Sequence, residues 1–225
     1  MEHSAWNIEG VLSPNQPTEM GEFARLFGFL RPEAAMRDIV ARPIFVVPLA
    51  LSVVAAIAYA VTARPVLAAP NALVATSVSM FVGLLVRLIF LTAVLTAAAA
   101  ALSQASIPFG RMLAVVCYSR VPGILFAALA IFLILLRRAS GLPDNSPINP
   151  MMTNLAVFLD PATTSRFVYS LASSVDCVLF WELSLMSIGL KAASGIDSKI
   201  ANLSVVILWV VYALGQAAWI QYLVH

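Results

Sequence analysis

Long apolar runs separated by short polar segments dominate the chain. A helix that crosses a bilayer needs about 20 mostly apolar residues, and five stretches meet that requirement. These runs are continuously apolar and do not alternate with a period of two, which argues against a transmembrane β-barrel. The pattern predicts an all-α membrane protein with five transmembrane helices in a bundle, at about residues 44–63, 79–101, 113–136, 168–189 and 203–223.

The residues before this membrane domain, which covers 44–225, follow a different pattern. Residues 1–18 combine acidic residues with prolines and lack an apolar core, so we expect a loose N-terminal arm and not a signal peptide. Residues 19–43 predict two short amphipathic helices that lie in the membrane interface. Their apolar face would consist of Phe23, Leu26, Phe27, Leu30, Met36, Ile39 and Val40.

Composition agrees with an exterior solvated by lipid. Of the 225 residues, 61% are hydrophobic and 11% are charged, against about 25% charged in an ordinary soluble domain. A soluble domain of this composition would expose an apolar surface, so we exclude that class. The net charge is only +2 and no stripe of lysine and arginine is present, so no nucleic-acid partner is expected.

Basic residues outside the predicted spans indicate the orientation. With the N-terminus inside, the inner side holds more of them than the outer side, which predicts a cytoplasmic N-terminus and a C-terminus on the opposite side. The adjacent pair Arg137 and Arg138 opposes this trend. The inner set is Arg25, Arg31, Arg37, Arg42, Arg111, Lys191 and Lys199, and the outer set is Arg64, Arg137, Arg138 and Arg166.

The sequence does not group residues in a spacing that is typical of catalysis or metal binding. The two histidines, His3 and His225, lie at opposite ends of the chain. No HExxH, GxSxG, Walker or CxxC spacing occurs. The sequence therefore predicts a protein that is not an enzyme and that has no cofactor, no metal ion and no catalytic residues.

Four ionisable residues fall inside predicted spans, where each would cost about 2.5 to 3.5 kcal/mol at a helix centre. Arg87 and Asp176 lie about 12 Å from the outer ends of their spans, and Arg120 and Glu182 about 10 Å from the inner ends, at 1.5 Å per residue. Equal depth predicts two intramembrane ion pairs, Arg87–Asp176 and Arg120–Glu182. Such pairs either hold helices together or mark a path for a proton or ion.

Two segments carry a family resemblance. They are EFARLFGFLRPEAAMRDIVARPIFVVPLAL (22–51), which leads into the first span, and FLDPATTSRFVYSLASSVDCVLFWELSLMSIGLKAASGIDSKIANLSVVILWVV (158–211). The second contains Phe180-Trp181, then Ile188-Gly189-Leu190, then Ser198-Lys199. Both segments resemble bacterial members of the Yip family, the Ypt/Rab-interacting membrane proteins. The resemblance implies five spans and a cytoplasmic N-terminus, here in a bacterial inner membrane. Eukaryotic members of the family are similar to adaptor proteins for small GTPases. This chain shows no GTPase-binding surface, so no GTPase partner is expected.

Two classes of function follow from these features. The first is a non-enzymatic protein that acts by association with membrane lipids, with itself or with another membrane protein, as a scaffold, an adaptor or an organiser of the membrane. The second is a transporter, channel or lipid-moving protein that uses the buried charges. A water-filled cavity that reaches Asp176 or Glu182 would favour the second class, whereas a dry bundle with both acids in salt bridges would favour the first.

Overall fold

The computed structural model describes residues 25–26, 28–63, 70–103, 106–140, 153–160 and 162–223. Short 3-10 turns lie at Gly28–Leu30 and Leu155–Phe158, and within the described ranges no strand is formed beyond an isolated bridge between Asn154 and Asp176. The described residues contain eight α-helices: α1 (Pro32–Ala41), α2 (Val46–Ala63), α3 (Pro70–Ser103), α4 (Phe109–Ser119), α5 (Val121–Ala139), α6 (Arg166–Ser173), α7 (Cys177–Ser194) and α8 (Ser198–Leu223).

Length and apolar composition identify the helices that can cross a bilayer. In the described part of the chain four stretches qualify, and α1 with α2 adds a fifth if this pair, bent by 114°, forms one broken span. The prediction of an all-α membrane bundle is confirmed. The four stretches are Phe81–Ser103, Phe109–Ala139, Cys177–Ser194 and Ser198–Tyr222.

The stretch predicted as the third span consists of two helices that meet at Arg120. Pro122 has no backbone N–H and therefore cannot donate to the carbonyl of Tyr118 in the preceding turn. Helix α4 ends at Ser119, and α5 begins at Val121 with Pro122 in its first turn. Arg120 lies at the junction of the two helices, and its side chain is half-buried.

The stretch predicted as the fourth span, 168–189, is also broken, between α6 and α7. At the end of α6 the hydroxyls of Ser173 and Ser174 donate to the carbonyls of Tyr169 and Leu171, each at 2.7 Å. Asp176 then starts α7, because its Oδ1 accepts a hydrogen bond of 2.6 Å from the amide of Leu179. The expectation of one continuous helix here was wrong, since a side-chain cap makes a new helix start at Cys177.

Helix α7 lies at the centre of the bundle and contacts α1, α3, α4, α5 and α8. Its half nearest α1 is tightly packed, and the half nearest α6 is not. The boundary falls between Glu182 and Leu185 on α7, and between Val205 and Trp209 on α8. The packed half contains Leu95, Ala99, Met112, Val115, Val116, Met186, Leu190, Ala201 and Val205.

Helix α1 does not present its apolar face to lipid as predicted. Its apolar face, including Met36, Ile39 and Val40, is buried against α4 and α7 of the same chain. An amphipathic pattern shows that one face must be covered, but it does not show whether lipid or protein covers it. Leu26 packs partly on the same cluster, Leu30 is exposed, and Phe23, Phe27 and the arm 1–18 lie outside the described residues.

The polar side of α1 is partly buried as well. Arg25 Nε lies 2.6 Å from Asp38 Oδ2, and both side chains are less than 10% exposed. The Arg25 guanidinium also donates to the carbonyl of Arg42 at 3.4 Å. The segment before α2 is therefore an integral part of the bundle, fixed by a buried ion pair as well as by apolar contacts.

Candidate functional site: a charged cavity among α3, α5, α6, α7 and α8

The less tightly packed half of the bundle encloses a cavity of about 620 Å³. This volume lies within the range of about 300–1,000 Å³ that is typical of ligand pockets. The lining extends about 16 Å along α8, from Trp209 to Ile220, at 1.5 Å per residue. Its walls are formed by Arg87, Arg120, Gly123, Phe126, Thr164, Arg166, Tyr169, Ser170, Ser173, Ser174, Asp176, Val178, Leu179, Glu182, Trp209, Tyr212, Gln216 and Ile220.

An ion pair lies in the cavity wall at the centre of the bundle. Arg120 Nη1 is 2.7 Å from Glu182 Oε2; the Glu182 side chain is 9% exposed and that of Arg120 24%. The helix break at Arg120 and the middle of α7 bring the two side chains together. These are two of the four intramembrane charges that the sequence singled out, and whether their role is structural or functional stays a prediction.

A glycine of α5 provides the space for this ion pair. A Cβ atom on Gly123 would collide with Oε1 of Glu182 and would lie 3.9 Å from Arg120 Nη2. The carboxylate therefore packs directly against the α5 backbone. Glycine at this position lets the charged group of α7 approach the adjacent helix without leaving the cavity wall.

We expect Gly123→Ala to change the free energy of unfolding by less than about 1 kcal/mol. Alanine favours a helix over glycine by about 0.5–1 kcal/mol, and this gain offsets the displacement of a flexible glutamate end. Thermal unfolding of the purified protein in detergent measures the change. Gly83→Ala, where an added Cβ meets nothing within 4 Å, is the control. A loss of more than about 2 kcal/mol would mean that the carboxylate cannot move.

The other predicted pair, Arg87–Asp176, is not formed. The Arg87 guanidinium lies over the ring of Tyr212, 5.0 Å from its centroid, and no carboxylate of the described residues is within salt-bridge distance of it. Asp176 instead caps α7 through Leu179. The prediction failed because it assumed one continuous fourth helix, whereas Asp176 lies in the break between α6 and α7. Both side chains nevertheless line the same cavity.

A polar stripe on α6, which the sequence analysis did not recognise, forms much of the cavity wall. Arg166, Tyr169, Ser170 and Ser173 follow the i, i+3, i+4, i+7 spacing of one helix face. The stripe was present in the sequence, but the assignment of 168–189 to a membrane span concealed it. Helix α6 is fixed to α8 by a hydrogen bond of 3.0 Å from the amide of Phe167 to Gln221 Oε1.

The cavity is suited to holding a ligand. Guanidinium groups, hydroxyls and an amide line it beside the apolar side chains of Phe126, Trp209 and Ile220. In the described ranges no group of three or more His, Cys, Asp or Glu residues is placed to hold a metal ion. The cavity opens at the end of the bundle where Arg166 and Gln216 are exposed.

A family model described as the Yip1 domain matches residues 27–220. The chain belongs to the Yip1 family. This confirms the resemblance seen in the sequence, and the matched range includes every residue that lines the cavity. Neither the curated proteins nor the solved structures give a match. The cavity is thus a feature of the Yip1 domain of this chain and not of a segment appended to it.

Proposed function

We propose that this Yip1-domain protein is a non-enzymatic membrane protein that receives the polar head of a membrane lipid in its cavity and moves the lipid between the two leaflets. The observation that carries the proposal is a cavity with charged walls inside a bundle whose exterior is apolar. The cavity reaches both Asp176 and Glu182, which supports the second class of function.

The surroundings of the cavity favour a lipid over a water-soluble ligand. Apolar side chains on the outer faces of α5 and α8 are exposed, as expected where acyl chains cover the helices; examples are Phe132 at 60% and Val211 at 63%. A small apolar pocket adjoins the deep end of the cavity and shares Arg87, Arg120 and Glu182 with it. Its other walls include Leu91, Leu183, Met186, Val205 and Leu208. An amphiphile matches a site that is polar inside and apolar around it.

The orientation predicted from the basic residues gives this arrangement a direction. Helix α6 and the open end of the cavity would lie on the side opposite the cytoplasm, and α1 on the cytoplasmic side of a bacterial inner membrane. The lipid head would then enter from the outer leaflet and pass towards Arg120 and Glu182. This direction rests on the predicted orientation alone.

The test is lipid movement in liposomes that contain the purified full-length protein. A head-labelled fluorescent lipid is placed in both leaflets and bleached from outside by a reductant that does not cross the membrane. We expect the wild-type protein to make the inner-leaflet label accessible. Ser170→Trp, which places a bulky side chain in the cavity wall, should slow this additional loss of fluorescence several-fold. Ser184→Trp should not, because Ser184 is on the exposed face of α7.

Liposomes with folded wild-type protein that bleach no further than protein-free liposomes would contradict lipid movement. In that case an associative role, with lipid, with a second copy or with another membrane protein, becomes the better account. Equal slowing by both tryptophan variants would show that the cavity is not the route.

A further inference from the structure

Arg87 lies in the cavity wall without a salt bridge to any carboxylate of the described residues. Arg120 is paired with Glu182, and Oδ1 of Asp176 is engaged by the amide of Leu179. The contact that the structure gives Arg87 is the face of the Tyr212 ring. A guanidinium in a membrane domain needs water, a carbonyl oxygen or an anion beside it, because hydrocarbon does not solvate it.

The charge balance of the whole cavity points the same way. Among the described residues, three arginines and two acidic residues line it, so these walls carry a formal charge of plus one. Both carboxylates already bind a donor of this chain, so neither is well placed to receive a cationic head group. An anion is the complement of these walls, and arginine presents two parallel N–H groups that match phosphate oxygens.

We propose that Arg87 binds the phosphate of an anionic glycerophospholipid, and that the positive net charge of the described walls, to which Arg87 contributes, selects lipids whose head carries no cationic group. This inference rests on the proposed function and specifies its substrate class. The hydroxyls of Thr164 and Ser170 line the same cavity and can donate to the phosphate or to the alcohol of the head group. The Tyr212 ring holds the guanidinium in place from one side.

A phosphate anion could also come from water, as free phosphate. The apolar part of the walls favours the lipid: Phe126, Val178 and Ile220 line the cavity beside the charged groups. A small hydrophilic anion would gain nothing from these contacts, whereas the glycerol and upper acyl carbons of a lipid would bury against them. The test separates the two sources.

Full-length protein in detergent is stripped of lipid and titrated with defined probes. Native mass spectrometry measures the fraction of the protein that carries each probe. The probes are phosphatidylglycerol, phosphatidylcholine and diacylglycerol with the same acyl chains, and inorganic phosphate. We expect phosphatidylglycerol to bind about tenfold more tightly than phosphatidylcholine, which corresponds to about 1.4 kcal/mol. Diacylglycerol should bind most weakly, and inorganic phosphate should not displace phosphatidylglycerol.

Variants assign the selectivity to one residue. Arg87→Gln should abolish the preference for phosphatidylglycerol. Arg37→Gln should preserve it, because Arg37 is exposed on α1, paired with Glu33 at 3.6 Å and away from the cavity. Arg87→Lys keeps the charge without the planar fork and should retain part of the preference. If Arg87→Gln does not fold, the lysine variant together with the wild-type ranking decides the question.

The possible results separate this inference from the proposed function. Equal binding of phosphatidylglycerol and phosphatidylcholine overturns selection of an anionic head but leaves lipid binding intact. Binding of neither lipid by folded protein overturns both. Displacement of phosphatidylglycerol by inorganic phosphate overturns the lipid as the source of the anion. An unchanged preference in the Arg87→Gln variant overturns Arg87 as the anchor.

Discussion

Glu182→Gln should lower the free energy of unfolding by about 3 kcal/mol, because it leaves Arg120 without its carboxylate in the interior of the bundle. The two groups are 2.7 Å apart, and the glutamate side chain is 9% exposed. Removal of one member of a buried ion pair costs about 3–5 kcal/mol. The lower end applies here because Arg120 is 24% exposed towards the cavity. Denaturant titration in detergent measures the loss.

The double variant Arg120→Gln, Glu182→Gln is the decisive comparison. With both charges removed, no uncompensated group stays behind, so the double variant should be more stable than Glu182→Gln alone. Losses that simply add would show that the two residues act independently. Glu33→Gln is the matched control, since it breaks an exposed pair with Arg37 that is worth less than about 1 kcal/mol.

The same variants test whether the ion pair is more than structural. If it only holds α7 to the break between α4 and α5, the double variant should move lipid in liposomes as fast as the wild type once it is folded. A folded double variant that no longer moves lipid would place the pair in the transport path. The sequence alone left these two roles open.

The presence and approximate positions of most membrane helices were predictable because the physical demand of the bilayer is simple. A long apolar run has to form a helix so that its backbone groups are hydrogen-bonded, and α2, α3 and α8 lie where such runs occur. Depth arithmetic also suggested that Arg120 and Glu182 should meet. In the structure Arg120 Nη1 and Glu182 Oε2 are 2.7 Å apart.

The cavity could not be predicted from the sequence, for two reasons. Its walls come from five helices, and single-sequence patterns do not show how helices are arranged around α7. In addition, the cap at Asp176 turned one expected span into α6 and α7. That cap moved Asp176 away from Arg87 and turned the polar stripe of α6 towards the bundle. Short-range hydrogen bonds by Ser173 and Ser174 outweighed the apolar pattern there.

The sequence identified the apolar face of helix α1, which contains Met36 and Ile39. It did not identify the helices that cover this face. Lipid and the apolar side of α4 and α7 are equally suitable covers for such a face, so the pattern cannot choose between them. The buried pair Arg25–Asp38 is the feature that marks a protein environment, and it joins residues that are 13 positions apart.

Gly189→Leu should prevent folding or lower the free energy of unfolding by about 3 kcal/mol or more, the upper range for an overpacked core. A Cβ at this position of α7 would collide with Cγ1 of Val115 on α4 and lie 3.3 Å from Sδ of Met36 on α1. Small residues let helices approach this closely in membrane proteins. Gly189 belongs to the Ile188-Gly189-Leu190 triplet on which the family resemblance partly rests, and packing accounts for its glycine.

The difference between Gly189 and Gly123 lies in what the new side chain would meet. At Gly123 it meets the end of a flexible glutamate, which can rotate away. At Gly189 it meets a β-branched valine that has one strongly preferred rotamer in a helix, so the helices themselves must separate. Even Gly189→Ala should therefore cost about 2 kcal/mol, whereas Gly123→Ala should be close to neutral.

Gly215→Leu is the matched control, because it makes the same substitution in a membrane helix where an added Cβ meets nothing within 4 Å. It should leave the free energy of unfolding within about 0.5 kcal/mol of wild type. If Gly189→Leu were as stable as Gly215→Leu, α1, α4 and α7 could not meet as closely as the structure shows. The packed half of the bundle would then be loose, and the cavity could no longer be treated as a site on a rigid support.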